Sequence, residues 1–486
     1  MKNLKTILLL ILVTSVFNRC TDHVDYEAIE GYQITSEIYF QQEADYDAAL
    51  VGTYDVLQWL FFNIQLGAIA SEITLCGGES ATDYIGIQQI DDMTHYPENN
   101  VLRQIWQFLY EGVNRANYME ENKANIDFEG KEAMYGEVYF LRAYYYFELV
   151  KFFGDVPLFT EARLTAGQAG TLTRTPKGEV YAQIELDLQN AIASLPNSQS
   201  QVGRVNKYTA YALLGKVLLY QDKFAEAASA LDNVIGVYSL VSDYGSQFLR
   251  FGENGPESVF EIQYSNQSNW YDWGCAHCSE GNYAIIMNGP RGWSGPEYAQ
   301  GWSFNVPTEE FYNSFEEGDS RRDATVLDIE AFAAATGASY TEGYDHTGYF
   351  NNKYIPRAGE SGGQTELNYL TNFRIIRYSD VLLMAAEAYN RGGIDDGLAQ
   401  EFLNQVRRRA FGGDDNDISA SGSALTDAIW EERKFELSLE GHRFFDLVRT
   451  GRASSLIAGF VEGKHEVFPI PQQEVDISGL TQNAGY

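Results

Sequence analysis

Cysteine is scarce, with four in 486 residues: Cys20, Cys76, Cys275 and Cys278. So few thiols give little disulfide framework, and the fold must rest on its hydrophobic core. Cys275-Ala276-His277-Cys278 has the spacing of a redox or zinc pair, yet no second pair completes a four-ligand site. Haem attachment needs His directly after the second cysteine, where Ser279 stands. The flanks read as loop rather than the strand and helix around a thioredoxin-type pair. Incidental or locally bridged thiols are the reading that remains, and no metal or other cofactor is expected.

Basic clusters are missing as well. The chain has 34 Lys and Arg against 68 Asp and Glu, a formal charge of −34, and no basic run of five. Phosphates would be repelled, which excludes nucleic acid as a partner and leaves neutral ligands open. Past the N-terminus there is no apolar run long enough for a membrane-spanning helix. A composition of 45% apolar and 21% charged residues is that of a folded protein, sufficient for one large domain or two to three ordinary ones.

The first residues are more specific. Met1-Lys2-Asn3-Leu4-Lys5 is a basic start, followed by an apolar run from Ile7 to Phe17. A run this short reads as an export signal. It ends close to Cys20, which is followed by Asp22, Asp25, Glu27 and Glu30. A cysteine just after a short signal suggests lipoprotein processing with Cys20 as the acylated residue, although Asn18 and Arg19 stand where such sites prefer small residues.

What the chain has in abundance is aromatic surface in irregular backbone. Four of its seven tryptophans, Trp270, Trp273, Trp293 and Trp302, fall in one Gly-, Asn-, Ser- and Tyr-rich stretch without helical period. Core aromatics usually sit on a periodic face, whereas loop aromatics more often meet a ligand. Indole faces beside amides and hydroxyls suit a carbohydrate, which has apolar C–H faces and many hydroxyls. Trp59, Trp106 and Trp430 lie on helical patterns and are expected in the core.

Around this island the pattern is helical. Leu50, Tyr54, Leu57 and Phe61 keep a helical period over 45–61, as do Leu102, Ile105, Leu109 and Val113 over 102–121. Residues 131–153 are apolar on several sides, which predicts a helix packed between others, stopped by Gly154 and Pro157. Thr175-Pro176 opens another helix. Pairs near 206–237 and 381–410 have nearly the spacing of tetratricopeptide repeats, which need about three units to bury their faces. Between them, residues 238–370 read as an insertion: a strand at Val259–Tyr264, then long loops, notably over 334–366. In 431–449, Glu432 and Glu436 sit one turn apart as an acid/base pair would. The nearby arginines instead predict an ion-pair clamp holding Glu436, Glu440 and Asp446.

Taken in order, several segments resemble the SusD/RagB outer-membrane lipoproteins. They include Phe140-Leu141-Arg142-Ala143-Tyr144-Tyr145-Tyr146-Phe147-Glu148-Leu149 with Phe153-Gly154-Asp155-Val156-Pro157, then Arg174-Thr175-Pro176 and Gly203-Arg204-Val205. Gly318-Asp319 with Arg321-Arg322, Ile376-Arg377-Tyr378-Ser379-Asp380-Val381-Leu382-Leu383, Leu403-Asn404-Gln405-Val406-Arg407 and Pro469-Ile470-Pro471 follow. The resemblance implies a mainly α fold, a tetratricopeptide-like helix-pair scaffold whose loop-rich insertion carries the ligand site. The expected layout is a signal peptide at 1–19, a lipid-anchored linker at 20–44 and one domain at 45–486, with scaffold at 45–237 and 371–486 and insertion at 238–370. It further implies a cell-surface protein anchored at Cys20 that partners a SusC-like TonB-dependent transporter and performs no catalysis.

The expected function is therefore binding of an oligosaccharide or polysaccharide and its delivery to that transporter. Trp270, Tyr271, Trp273, Tyr283, Trp293 and Trp302 are the expected stacking surfaces, with Asn269, Asn288 and Arg291 as polar contacts. Asp83 and Tyr84, on a second loop at 77–92, are added because the family often uses that region. Two alternatives are a glycoside hydrolase drawing on Asp272, Glu280 and Glu297, and a peptide-binding adaptor on helical repeats.

Overall fold

Capping and periodicity decide where the helices form. Asn99 opens the Asn100–Glu121 helix by accepting from the amides of Val101 and Leu102, and Asn206 does the same for Lys207–Leu219 at Tyr208 and Thr209. The Lys131–Phe153 helix is buried on nearly every side and ends at Gly154, whose φ is +73°. It packs against the Lys177–Ser194 helix and the Asn100–Glu121 helix, which makes it the spine of the N-terminal half. The computed structural model describes residues 39–267, 273–361 and 367–486.

The helix pairs appear as the repeat spacing predicts. Lys207–Leu219 packs on Phe224–Asp232, and Tyr378–Arg391 packs on Asp396–Phe411. The small residue at 215 matters here: a Cβ on Gly215 would lie 2.5 Å from Leu231, so only glycine lets the two helices approach. Phe224–Asp232 also lies on Tyr378–Arg391, which joins two pairs far apart in sequence into one scaffold.

Three expectations need correction. The helix expected over 45–61 breaks: Glu43–Asp55 gives way to a 3-10 turn, Val56–Trp59, before a new helix, Phe61–Ile69. Residues 334–366 are not plain loop, since the Ile329–Thr336 helix reaches into them and two short strands lie among them. Trp430 is only half-buried, roofed by the guanidiniums of Arg391 and Arg452, whereas Trp106 is in the core.

Among the described residues the strands form four two-stranded antiparallel ribbons, six of the eight strands lying in the insertion. In order the strands are β1 (Thr74–Gly77), β2 (Ser258–Ile262), β3 (Arg291–Ser294), β4 (Phe304–Pro307), β5 (Val326–Asp328), β6 (Ser339–Thr341), β7 (Tyr349–Asn351) and β8 (Phe373–Arg377). They pair β1 with β4, β2 with β8, β3 with β6 and β5 with β7. β2 is buried on both faces rather than alternating, because β8 and the helices enclose it. β8 then feeds Arg377 directly into the ion-pair clamp.

That clamp is the polar centre of the molecule. Arg321 meets Asp319, Glu432 and Glu436 at 2.6, 2.5 and 3.1 Å. Arg377 meets Glu257, Glu436 and Glu440 at 2.7, 2.8 and 2.7 Å, and Arg409 reaches Glu257 and Glu436. Burial alone would raise the Glu436 carboxyl, but the guanidiniums of Arg409, Arg377 and Arg321 hold it well below the usual range. Such a carboxylate cannot store a proton for acid catalysis. Asp446 is likewise held down by Arg433 and Arg449 against its burial.

Candidate functional site

β1 and β4 set the geometry by bringing two distant segments edge to edge. Their register pairs Leu75 with Val306 and Gly77 with Phe304, so the loop after β1 lies beside residues 301–304. Gly78 donates to the Ser303 carbonyl at 2.7 Å, and the Tyr344 amide donates to the Gly78 carbonyl at 2.8 Å. A third segment is thereby stitched on. The approach is too close for a side chain: a Cβ on Gly343 would fall 2.6 Å from the Gly78 oxygen, and Gly78 itself has φ +106°.

On this stitched backbone Tyr84 stands 37% exposed. Its φ of +48° is in the left-handed region that bulky residues avoid, at a cost of roughly 1 kcal/mol or more. Its ring stacks on Phe62 with centroids 5.4 Å apart, and the edge of Phe304 flanks it at 6.3 Å. Phe62 touches Phe61, and Phe61 touches Tyr283 at 4.0 Å, so a chain of rings leads from one loop to the other. Tyr283 and Trp302 are half-buried against the core. The Trp302 amide donates to the Ile286 carbonyl, which lays its segment over the Ala284–Met287 turn. Burial raises both the Tyr84 and Tyr283 phenols, so they stay protonated and can donate hydrogen bonds.

A charged pair edges these rings. Arg291 donates to Asp83 at 2.7 Å and lies 3.6 Å from Glu79, so two residues singled out more than 200 positions apart in sequence form one contact. Asp83 also accepts from the Glu79 amide at 2.8 Å. On β3, Arg291 and Trp293 share the half-buried face. Trp293 packs edge-on to Tyr298 and against Phe332 in a small satellite core with Val306, Ile329 and Phe350. Its indole N–H is buried without an acceptor. Trp293 is therefore as much a packing residue as a surface one, a change from its expected role.

Asn288 is further from its expected place. It is 2% exposed, and its side-chain amide donates to the Tyr354 carbonyl at 2.8 Å, so it ties loops together inside the fold. Asn269, Trp270, Tyr271 and Asp272 lie outside the described residues, as does Cys20. Trp273 begins a 3-10 turn, Trp273–Cys278, in which Cys275 and Cys278 are joined by a disulfide. His277 from this turn lies against the rings of Trp59 and Phe108, with centroids 5.0 and 5.4 Å away. Bridged thiols are not thiolate ligands, so the cluster of Cys275, His277 and Cys278 is no metal centre in this state.

Sequence reasoning missed Phe62, the ring beneath Tyr84, and Tyr344, 37% exposed beside Gly78. Phe62 is hidden in a helix buried along its whole length, and Tyr344 becomes relevant only through a pairing no local pattern announces.

Comparison with known proteins settles the kinship. A profile described as "SusD family" matches residues 256–459, and one described as "Starch-binding associating with outer membrane" matches residues 71–219. A solved structure named "Laminarin binding SusD-like protein" is 36% identical, with a TM-score of 0.84 over 92% of this chain and 100% of that one. The chain belongs to the SusD family. Among further SusD relatives, surface glycan-binding protein A from Bacteroides thetaiotaomicron, solved in complex with laminarihexaose, is 28% identical with a TM-score of 0.81, covering 91% of this chain and 99% of that one. SusD-like protein P2 of Formosa agariphila is 29% identical over 93% of this chain and 94% of its own. Among the described residues of this SusD-family chain, no helix is long and apolar enough to cross a membrane.

Proposed function

We propose that this SusD-family protein binds a neutral oligosaccharide, of the β-glucan type found in laminarin, and hands it to an outer-membrane transporter without cleaving it. The observation that carries the reading is the run of rings from Tyr84 through Phe62 and Phe61 to Tyr283, edged by the Arg291–Asp83 pair. Tyr84 and Tyr283, propped on the buried Phe62 and Phe61, offer ring faces to sugar C–H groups, and phenols with a guanidinium give direction through hydrogen bonds. Relatives covering nearly the whole chain are named for laminarin and surface-glycan binding, which supports this class of ligand.

Residues 45–486 act as one binding domain on this reading, tethered by the 20–44 linker to a lipid on Cys20. Trp270, Tyr271, Trp273 and Trp302 extend the stacking surface, with Asn269 as a polar contact. Against hydrolysis, two acidic groups of the ring region are engaged: Asp83 is held by Arg291, and Glu297 pairs with Arg357 at 3.4 Å. Calorimetry with laminarin, beside an assay for new reducing ends, tests both halves. Binding without cleavage is expected. Reducing ends appearing in proportion to enzyme would favour a hydrolase, and an absence of heat with every neutral glucan would remove the ligand assignment.

A further inference from the structure

A groove of about 530 Å³ opens beside the Glu43–Asp55 helix, with Glu280, two residues past the disulfide, in its lining. That volume falls within the range of roughly 300–1,000 Å³ typical of small-ligand clefts. Its walls come from four places: the Glu43–Asp55 helix with the turn after it, residues 201–204, residues 261–263, and Glu280. Val51 and Val202 stand on its rim, 51% and 74% exposed, with Leu57 and Ile262 beneath. Amides of Gln58, Gln201 and Gln263 alternate with these apolar groups.

The charges in the groove are largely matched within the protein. Asp55 pairs with Arg115 at 2.8 Å, and Arg204 pairs with Asp47 at 2.6 Å and Glu137 at 3.4 Å. A polyanion finds no unmatched guanidinium there, while a neutral amphipathic chain finds both apolar wall and amide. The walls of the groove are tied to the aromatic region by hydrogen bonds and ring contacts. Tyr264 donates to the Gln58 carbonyl, and Gln58 donates to the Gln263 carbonyl. The Ser265 amide donates to Glu280, a groove residue two positions past the disulfide. Trp59, next to Gln58, is the ring on which His277 of the disulfide turn rests.

We infer that this groove is a second carbohydrate subsite, receiving sugar units of a neutral glycan chain that runs on from the Tyr84–Tyr283 rings past the disulfide turn. The inference rests on the glycan reading above and adds a prediction that reading does not make: affinity grows with chain length through contacts at Val51 and Val202. A single cluster of rings would saturate on a short oligomer. Two subsites joined by a path bind a long chain more tightly by effective concentration.

The test titrates laminaritriose, laminarihexaose and intact laminarin into wild-type protein, the double variant Val51→Glu/Val202→Glu, and Tyr84→Ala. Both valines are solvent-facing, so the double variant is expected to keep its melting temperature. It should bind the triose as wild type does and lose about tenfold or more for laminarin, whereas Tyr84→Ala loses affinity for all three. Hydrogen exchange supplies a readout free of substitutions: laminarin, but not the triose, should protect amides at 47–58 and 201–204. Unchanged laminarin affinity in the double variant, together with no protection there, overturns the second subsite while leaving the ring site standing. Wild-type indifference to all three sugars removes the glycan reading and this inference with it. Extended peptides captured by wild type and lost by the double variant would reassign the groove to peptides and equally overturn it.

Discussion

The ion-pair clamp and the ring site solve opposite problems with similar residue types. In the clamp, Arg321, Arg377 and Arg409 are almost wholly enclosed, and each meets two or more carboxylates. At the ring site, Arg291 keeps 22% of its side chain exposed and has one close carboxylate partner. Enclosed charge tolerates loss of a partner poorly, because the carboxylate left behind has no water to replace the missing cation. Solvent-edged charge tolerates it readily, which leaves a site free to trade protein contacts for ligand contacts. On the proposed reading, this family member keeps its rigidity in the clamp and its ligand contacts at the ring site.

The largest expected effect comes from breaking the clamp. Arg377→Met leaves Glu257, Glu436 and Glu440 one shared cation short inside the fold, although Arg409, Arg321 and Lys353 remain, and urea titration should show a loss of about 3 kcal/mol or outright failure to fold. A midpoint equal to wild type would mean the clamp is idle. Trp293→Ala comes next, because its ring fills the satellite core beside Tyr298 and Phe332. Half-burial reduces the usual large-to-small penalty to roughly 2 kcal/mol, so unfolding and binding should both move. If only affinity changed, Trp293 would belong with the ligand surface alone.

Tyr84→Ala sharpens the contrast from the other side. Glucan affinity should fall about tenfold, near 1.4 kcal/mol, with little change in melting temperature. A fall in stability matching the fall in affinity would make Tyr84 structural.

The smallest effect concerns pH. Burial, reinforced by Asp92 and Asp345, raises the Asp91 carboxyl to about 7, despite a hydrogen bond from the Cys76 amide at 2.7 Å. A carboxyl raised by folding binds its proton more tightly in the native state. Its stabilising contribution is therefore complete below the ordinary carboxylate range and lost as pH rises through about 7. Asp91→Asn should remove that loss, giving stability close to wild type below the ordinary carboxylate range and higher than wild type in weak base, by about 1 kcal/mol after allowing for solvent screening. Parallel pH profiles for the two proteins would contradict it.

Much of the scaffold was legible from local rules. Helix caps, the Gly154 stop and the Leu214–Gly215–Leu231 spacing are written within a few residues of where they act, and the clamp was visible as alternating arginine and carboxylate. The break at Trp59 was not, because 45–61 keeps an uninterrupted apolar period and tertiary packing decides where it turns. The site was half legible. Composition marked the tryptophan island, and the Asp83 and Arg291 loops were both singled out, but their meeting depends on β1 pairing with β4 across more than 200 residues. Asn288 reads as a polar loop residue and is instead an internal tie, since sequence alone does not show which loop folds over which.

The contact of Gly78 with Gly343 sets a limit on how this surface can evolve. Two strips of backbone lie flush there, and a methyl group on residue 343 would act as a wedge between them. Such a change touches no ring and no charge, yet it would prise apart the seam on which Tyr84 and Tyr344 are mounted. On the proposed glycan reading, variation in ligand preference is open to the side chains around that seam and closed to the seam itself.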